Sequence, residues 1–83
     1  MTVRGYVLIE GEVGKTKSLG KAVLKLSHPD AKVLSVDTVM GQYDVIVQLE
    51  AADSDKLGNC ITDGIQRVEG VRRTTTCLAV DLG

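Results

Sequence analysis

The chain contains no tryptophan and no phenylalanine, and its aromatic content is two tyrosines. Without large rings, a core has to be filled by Val, Ile and Leu carried on regular elements. Histidine and proline occur once each, as His28 and Pro29. A single imidazole beside a helix end leaves no pair for a histidine-based metal centre, and no paired carboxylates or nucleophile–base grouping takes its place. Neither enzymatic chemistry nor a metal or cofactor is expected. The two cysteines, Cys60 and Cys77, lie 17 positions apart with no Cys-x-x-Cys, which reads as free, buried thiols. No apolar run approaches the roughly 20 residues of a membrane span, and Met1 leads into a strand rather than a signal peptide. The expected location is cytoplasmic. The formal net charge of -1 also lacks the basic excess that binding to nucleic-acid phosphates requires.

What is present is an ordinary globular composition, 43% apolar and 25% charged, in 83 residues. That length predicts one domain over 1–83. A chain this small buries only about 60 to 65% of its unfolded surface, so a second chain is an expected source of stability. Val3 to Ile9 alternates as a strand, with Tyr6 and Leu8 on one face and Val3, Val7 and Ile9 on the other. Leu19, Ala22, Val23 and Leu26 then recur at helical steps from about Thr16 to Ser27, and His28-Pro29 ends that helix. Ala31 to Met40 reads as a second strand, with Leu34, Val36 and Met40 alternating against Val33, Asp37 and Val39. Asp44 to Glu50 forms a third strand, apolar on both faces and so expected to be central. Asp53 and Ser54 cap a second helix carrying Leu57, Cys60, Ile61, Ile65 and Val68, and Gly70 stops it. Val71 to Val80 completes the chain as a threonine-rich strand.

Strand, helix, strand, strand, helix, strand is the order of a ferredoxin-like α+β fold, a four-stranded antiparallel sheet with two helices on one face. Helices on one side leave the other side of the central strands bare. A second copy packing sheet against sheet, as a dimeric α+β sandwich, is the expected cover.

Among the motifs, Gly11-Glu12-Val13-Gly14-Lys15-Thr16 imitates a phosphate loop, but the glycine required five positions before Gly-Lys-Thr is Ile9. It reads as a solvated turn. Lys15, Lys17, Lys21 and Lys25 make a solvated basic side on the first helix. The most informative stretch joins the second and third strands: Met40-Gly41-Gln42-Tyr43-Asp44. Backbone N–H groups exposed on such a turn suit a carboxylate, and the Asp44 side chain suits an ammonium group. A small zwitterion matches both. Thr74 and Thr76 share a strand face, with Thr75 opposed to them.

Val39-Met40-Gly41-Gln42-Tyr43-Asp44, followed by an apolar strand, a Leu57-centred helix and Glu69-Gly70-Val71-Arg72-Arg73-Thr74-Thr75-Thr76, resembles the ligand-binding domain of the Lrp/AsnC feast/famine regulators. The likeness runs from about Val3 to Val80. It implies an oligomeric regulatory module in which sheet-packed homodimers assemble into higher oligomers and amino-acid effectors bind between dimers. The effector site implied is Met40, Gly41, Gln42, Tyr43 and Asp44, with Thr74 and Thr76. Full-length members carry an N-terminal helix-turn-helix, for which there is no room before Val3. The resemblance therefore implies a stand-alone module without DNA binding of its own, acting in transcription regulation by ligand sensing or by co-assembly with full-length Lrp/AsnC-type regulators. Two alternatives share the element order: a small dimeric α+β-barrel enzyme of the cofactor-free monooxygenase kind, and an ACT-like regulatory or adaptor domain.

Overall fold

Strands β1 (Val3–Gly11) and β3 (Val45–Ala51) form the middle of the molecule because their apolar residues recur with the period of two that a sheet imposes. Val7, Ile9, Val45, Val47 and Leu49 all point to one face and are completely buried. The computed structural model describes residues 2–81, with α1 (Thr16–Leu24), β2 (Ala31–Thr38), α2 (Ser54–Asp63) and β4 (Val71–Leu78) completing the elements. The sheet is antiparallel throughout, in the order β2-β3-β1-β4. This is the ferredoxin-like βαββαβ arrangement that the element order predicts.

Both helices supply the other half of the core through a narrow apolar stripe: Leu19 and Val23 from α1, and Leu57, Cys60 and Ile61 from α2. The layers approach closely where a side chain is missing. A Cβ at Gly20 would stand 2.5 Å from the Thr38 hydroxyl, so glycine there lets α1 approach β2 this closely without moving that side chain. At its start α2 is capped by Asp53, whose extended backbone lets the carboxylate accept the Lys56 N–H at 2.8 Å.

Several sequence expectations change in detail. Helix α1 stops at Leu24 rather than Ser27, and Ala22 faces solvent, leaving Leu19, Val23 and the partly buried Leu26 as the contact row. Helix α2 stops at Asp63; Gly64 breaks it, and a single 3-10 turn over Ile65–Arg67 delivers the buried Ile65 to the core. Strand β3 begins at Val45 instead of Asp44, and β4 ends at Leu78. In β2 the simple alternation fails. The register moves from Val33 opposite Leu49 to Ser35 opposite Gln48, so a bulge puts Val33 and Val36 on the core side and leaves Leu34 exposed.

The face away from the helices carries Tyr6 and Leu8 from β1 and Ile46 from β3, with Tyr6 opposite both Gln48 and Cys77. Around this apolar centre lie Arg4, Lys32 and Glu50 at one end and Glu10, Arg73 and Asp37 at the other. Glu10 and Arg73 approach to 4.0 Å. Cys77 is exposed on this face, against the expectation that both thiols are buried.

Cys60 is buried, and burial pushes its thiol above the ordinary cysteine range, with the negative charge of Asp30 acting in the same direction. The fold thus holds a neutral thiol that the unfolded chain releases at lower pH. Cys60 costs nothing below the unfolded thiol value of about 8.5, and stability falls as pH rises from there towards the raised folded value. Urea midpoints followed from pH 7 to 10 are expected to decline less steeply in Cys60→Ala than in the parent chain.

Candidate functional site

The antiparallel pairing of β1 with β3 brings the end of one strand beside the beginning of the other, with Ile9 opposite Val45. Asp44 continues that ladder: its N–H donates to the Ile9 carbonyl at 2.8 Å, and its own carbonyl accepts the Val39 N–H at 2.9 Å. Asp44 is therefore held from both sides while the chain between Val39 and Asp44 arches out of the sheet.

The arch has unusual polarity. Among the described residues, none of the backbone N–H groups of Met40, Gly41, Gln42 and Tyr43 meets an acceptor within the chain. Gly41 makes the bend at φ 147°, a conformation that side-chain-bearing residues rarely adopt, and nothing lies within 4 Å of where its Cβ would be. Met40 and Gln42 are exposed, whereas Tyr43 and Asp44 are half-buried. Within the chain these donors are left to solvent.

The Asp44 carboxylate has a partner that the sequence did not disclose. Its Oδ2 accepts the Gly11 N–H at 2.7 Å, a short charge-assisted bond across 33 positions of chain. No local motif announces it. The signal lay in register alone: once β1 and β3 are paired, Gly11 must emerge beside Asp44. The next residue carries the connection onward, because the Glu12 N–H donates to the Gly70 carbonyl at 2.8 Å. Lys15 adds a 3.2 Å ion pair to Glu69, and that hydrogen bond and charge, with Glu12 contributing, raise the ammonium above the usual lysine value. Three loops thus meet at one end of the sheet.

Thr74 and Thr76 stand elsewhere. Thr74 shares a cross-strand row with Ile9 and Val45, so two strand spacings, about 10 Å, separate it from the residue after Asp44. Its hydroxyl accepts the Gln66 side-chain N–H at 3.0 Å, inside an open cleft shared with Arg72 and Arg73. Thr76 lies further along β4, opposite Val7, in a second cleft against Leu57, Gly58 and Ile61 of α2. Within one chain, then, the five turn residues are contiguous and the two threonines are not joined to them. The other motifs stay solvent-facing: Lys15, Lys17, Lys21 and Lys25 are exposed, and His28 uses Nδ1 to accept the Asp30 N–H at 3.1 Å.

Residues 6–81 match the Lrp/AsnC ligand binding domain. The chain belongs to that family. A Thermus thermophilus protein of known structure is 32% identical, with a TM-score of 0.82 over 98% of this chain and 96% of its own. The protein FFRP-DM1 is 27% identical, with a TM-score of 0.80 over 94% and 99% of the two chains. A Neisseria meningitidis transcriptional regulator, solved as a complex with L-Met, shares the fold at 15% identity and a TM-score of 0.78; 96% of this chain covers 51% of that one. No curated protein matches in sequence. Among the described residues no helix is long and apolar enough to cross a membrane.

In this Lrp/AsnC domain the Asp44–Gly11 bond is part-buried and charge-assisted. Its removal in Asp44→Ala is expected to cost about 1 to 3 kcal/mol in urea denaturation, with a smaller loss in Asp44→Asn, which keeps an acceptor oxygen.

Proposed function

We propose that this chain is a single-domain amino-acid-sensing module of the Lrp/AsnC kind, which binds its effector at the Met40–Asp44 turn and works by binding, not catalysis. One observation carries the reading: four consecutive N–H groups with no acceptor among the described residues precede a half-buried carboxylate held at the end of the sheet. The first group of partners suits an α-carboxylate and the second an α-ammonium. The L-Met complex of a regulator with the same fold supports amino acids as the ligand class.

The turn is open on its outer side, with Met40 wholly exposed, so the pocket is completed by another chain. In this reading homodimers form through the face bearing Tyr6, Leu8 and Ile46, an apolar centre inside a mixed-charge rim. Dimers then associate so that the turn of one chain faces the β4 clefts of another. That arrangement gives Thr74 and Thr76 a place in the effector crevice which they do not have within one chain. With a formal charge of -1, the module does not grip DNA itself and influences transcription by co-assembling with DNA-binding relatives in the cytoplasm.

Calorimetric titration of the assembled protein with the twenty free amino acids tests the effector role. At least one is expected to bind with a micromolar to millimolar Kd, corresponding to about -8 to -4 kcal/mol, and silence from all twenty refutes the role. For the assembly, sedimentation velocity is expected to show the parent chain as a dimer or larger and Ile46→Asp as a folded monomer. A parent chain sedimenting as a monomer at micromolar concentration rules out the sheet-packed dimer.

A further inference from the structure

The Gly11–Thr16 turn fails as a phosphate loop by its spacing, yet it is tied to two other loops. Gly11 donates to Asp44, Glu12 donates to Gly70, the Lys15 N–H closes on the Glu12 carbonyl at 3.0 Å, and the Lys15 side chain pairs with Glu69. Space at Gly11 is equally constrained. A Cβ there would lie 2.9 Å from Leu19 Cδ2, 3.1 Å from Thr16 Cγ2 and 3.5 Å from Asp44 Oδ2. Leu19 is wholly buried in the core, so it has no room to retreat.

A carboxylate on a freely turning side chain meets an incoming ammonium in many orientations; one fixed at a single oxygen presents the other in a defined direction. The Gly11 N–H holds Oδ2, which leaves Oδ1, among the described residues, as the oxygen with no partner of its own. We propose that the β1–α1 turn is the positioning element of the effector site: the Gly11 N–H orients the Asp44 carboxylate so that Oδ1 is aimed at the effector's α-ammonium group. This rests on the effector reading above and extends it to a residue that touches no ligand. Glu12–Gly70 and Lys15–Glu69 are the stays that keep Gly11 in place.

The test compares L-methionine with its desamino analogue, 4-(methylthio)butanoic acid, by calorimetry on the intact protein. The parent chain is expected to favour L-methionine by about tenfold or more, the worth of one charge-assisted contact. In Gly11→Ala the preference is expected to collapse, through an L-methionine affinity about tenfold weaker with the analogue within about twofold of the parent, while Lys17→Gln on the neighbouring helix changes neither. A role in stability alone would lower the urea midpoint and leave the preference intact. Should Gly11→Ala not fold, a synthetic chain with the Gly11 amide replaced by an ester removes only the N–H and is expected to show the same collapse. An undiminished preference in either chain, or a parent chain that binds both compounds equally, overturns the proposal. If the parent binds neither compound, the effector reading fails for this probe and the Gly11–Asp44 bond is tested without ligand. Asp44→Ala is then expected to speed exchange of the Gly11 amide by about tenfold or more, and unchanged exchange overturns the positioning role.

Discussion

The pairing of β1 with β3 is the constraint from which the rest of the molecule follows. Because these two strands lie in the middle of the sheet and are apolar on their helix-facing side, with Gly5 leaving room for Leu57, they decide where both helices rest and which residues form the core. The same pairing ends β1 beside the start of β3. It therefore also decides that the β1–α1 turn and the β2–β3 turn come together at one end of the sheet. Fold and candidate site are consequences of one register.

A site placed at the end of a sheet inherits the rigidity of the strands and the openness of loops. Asp44 is fixed by two ladder-like backbone bonds and one side-chain bond, while the four residues before it find no backbone acceptor among the described residues. Unpaired donors cost little at an exposed turn, where water serves them. Membership of the Lrp/AsnC ligand binding domain family fixes the scaffold, and the proposal above puts the chemistry in a short turn at its end.

The order of elements and the faces of β1 and β3 were legible in the sequence because a period of two in Val, Ile and Leu leaves little choice. The contiguity of Met40 to Asp44 was legible for the simplest reason, that neighbours in sequence remain neighbours in a turn. Other features were hidden for physical reasons. Leu57, Ile61 and Ile65 follow helical spacing across Gly64, and spacing alone does not reveal that the glycine breaks the helix into a 3-10 turn. The bulge in β2 adds a residue without any proline or glycine to mark it, and it reverses the faces of everything beyond. The Asp44–Gly11 bond is a tertiary contact, invisible until strands are paired. Thr74 and Thr76 were rightly placed on one face, but β1 lies between their strand and the turn, a separation that the ferredoxin-like order contains and a shared face does not reveal.

That bulge has one further consequence. At β2 the sheet's margin is broken where Leu34 and Ser35 crowd over Gln48, and it is flanked by the charges of Lys32 and Asp37, features that discourage a foreign chain from continuing the ladder. The opposite margin, β4, has its own bulge at Arg72 beside the charge of Arg73, and is regular and uncharged only from Thr74 to Leu78. Both borders are interrupted, so growth by adding strands, useful or harmful, is left the five-residue stretch from Thr74 to Leu78 as its longest plain template.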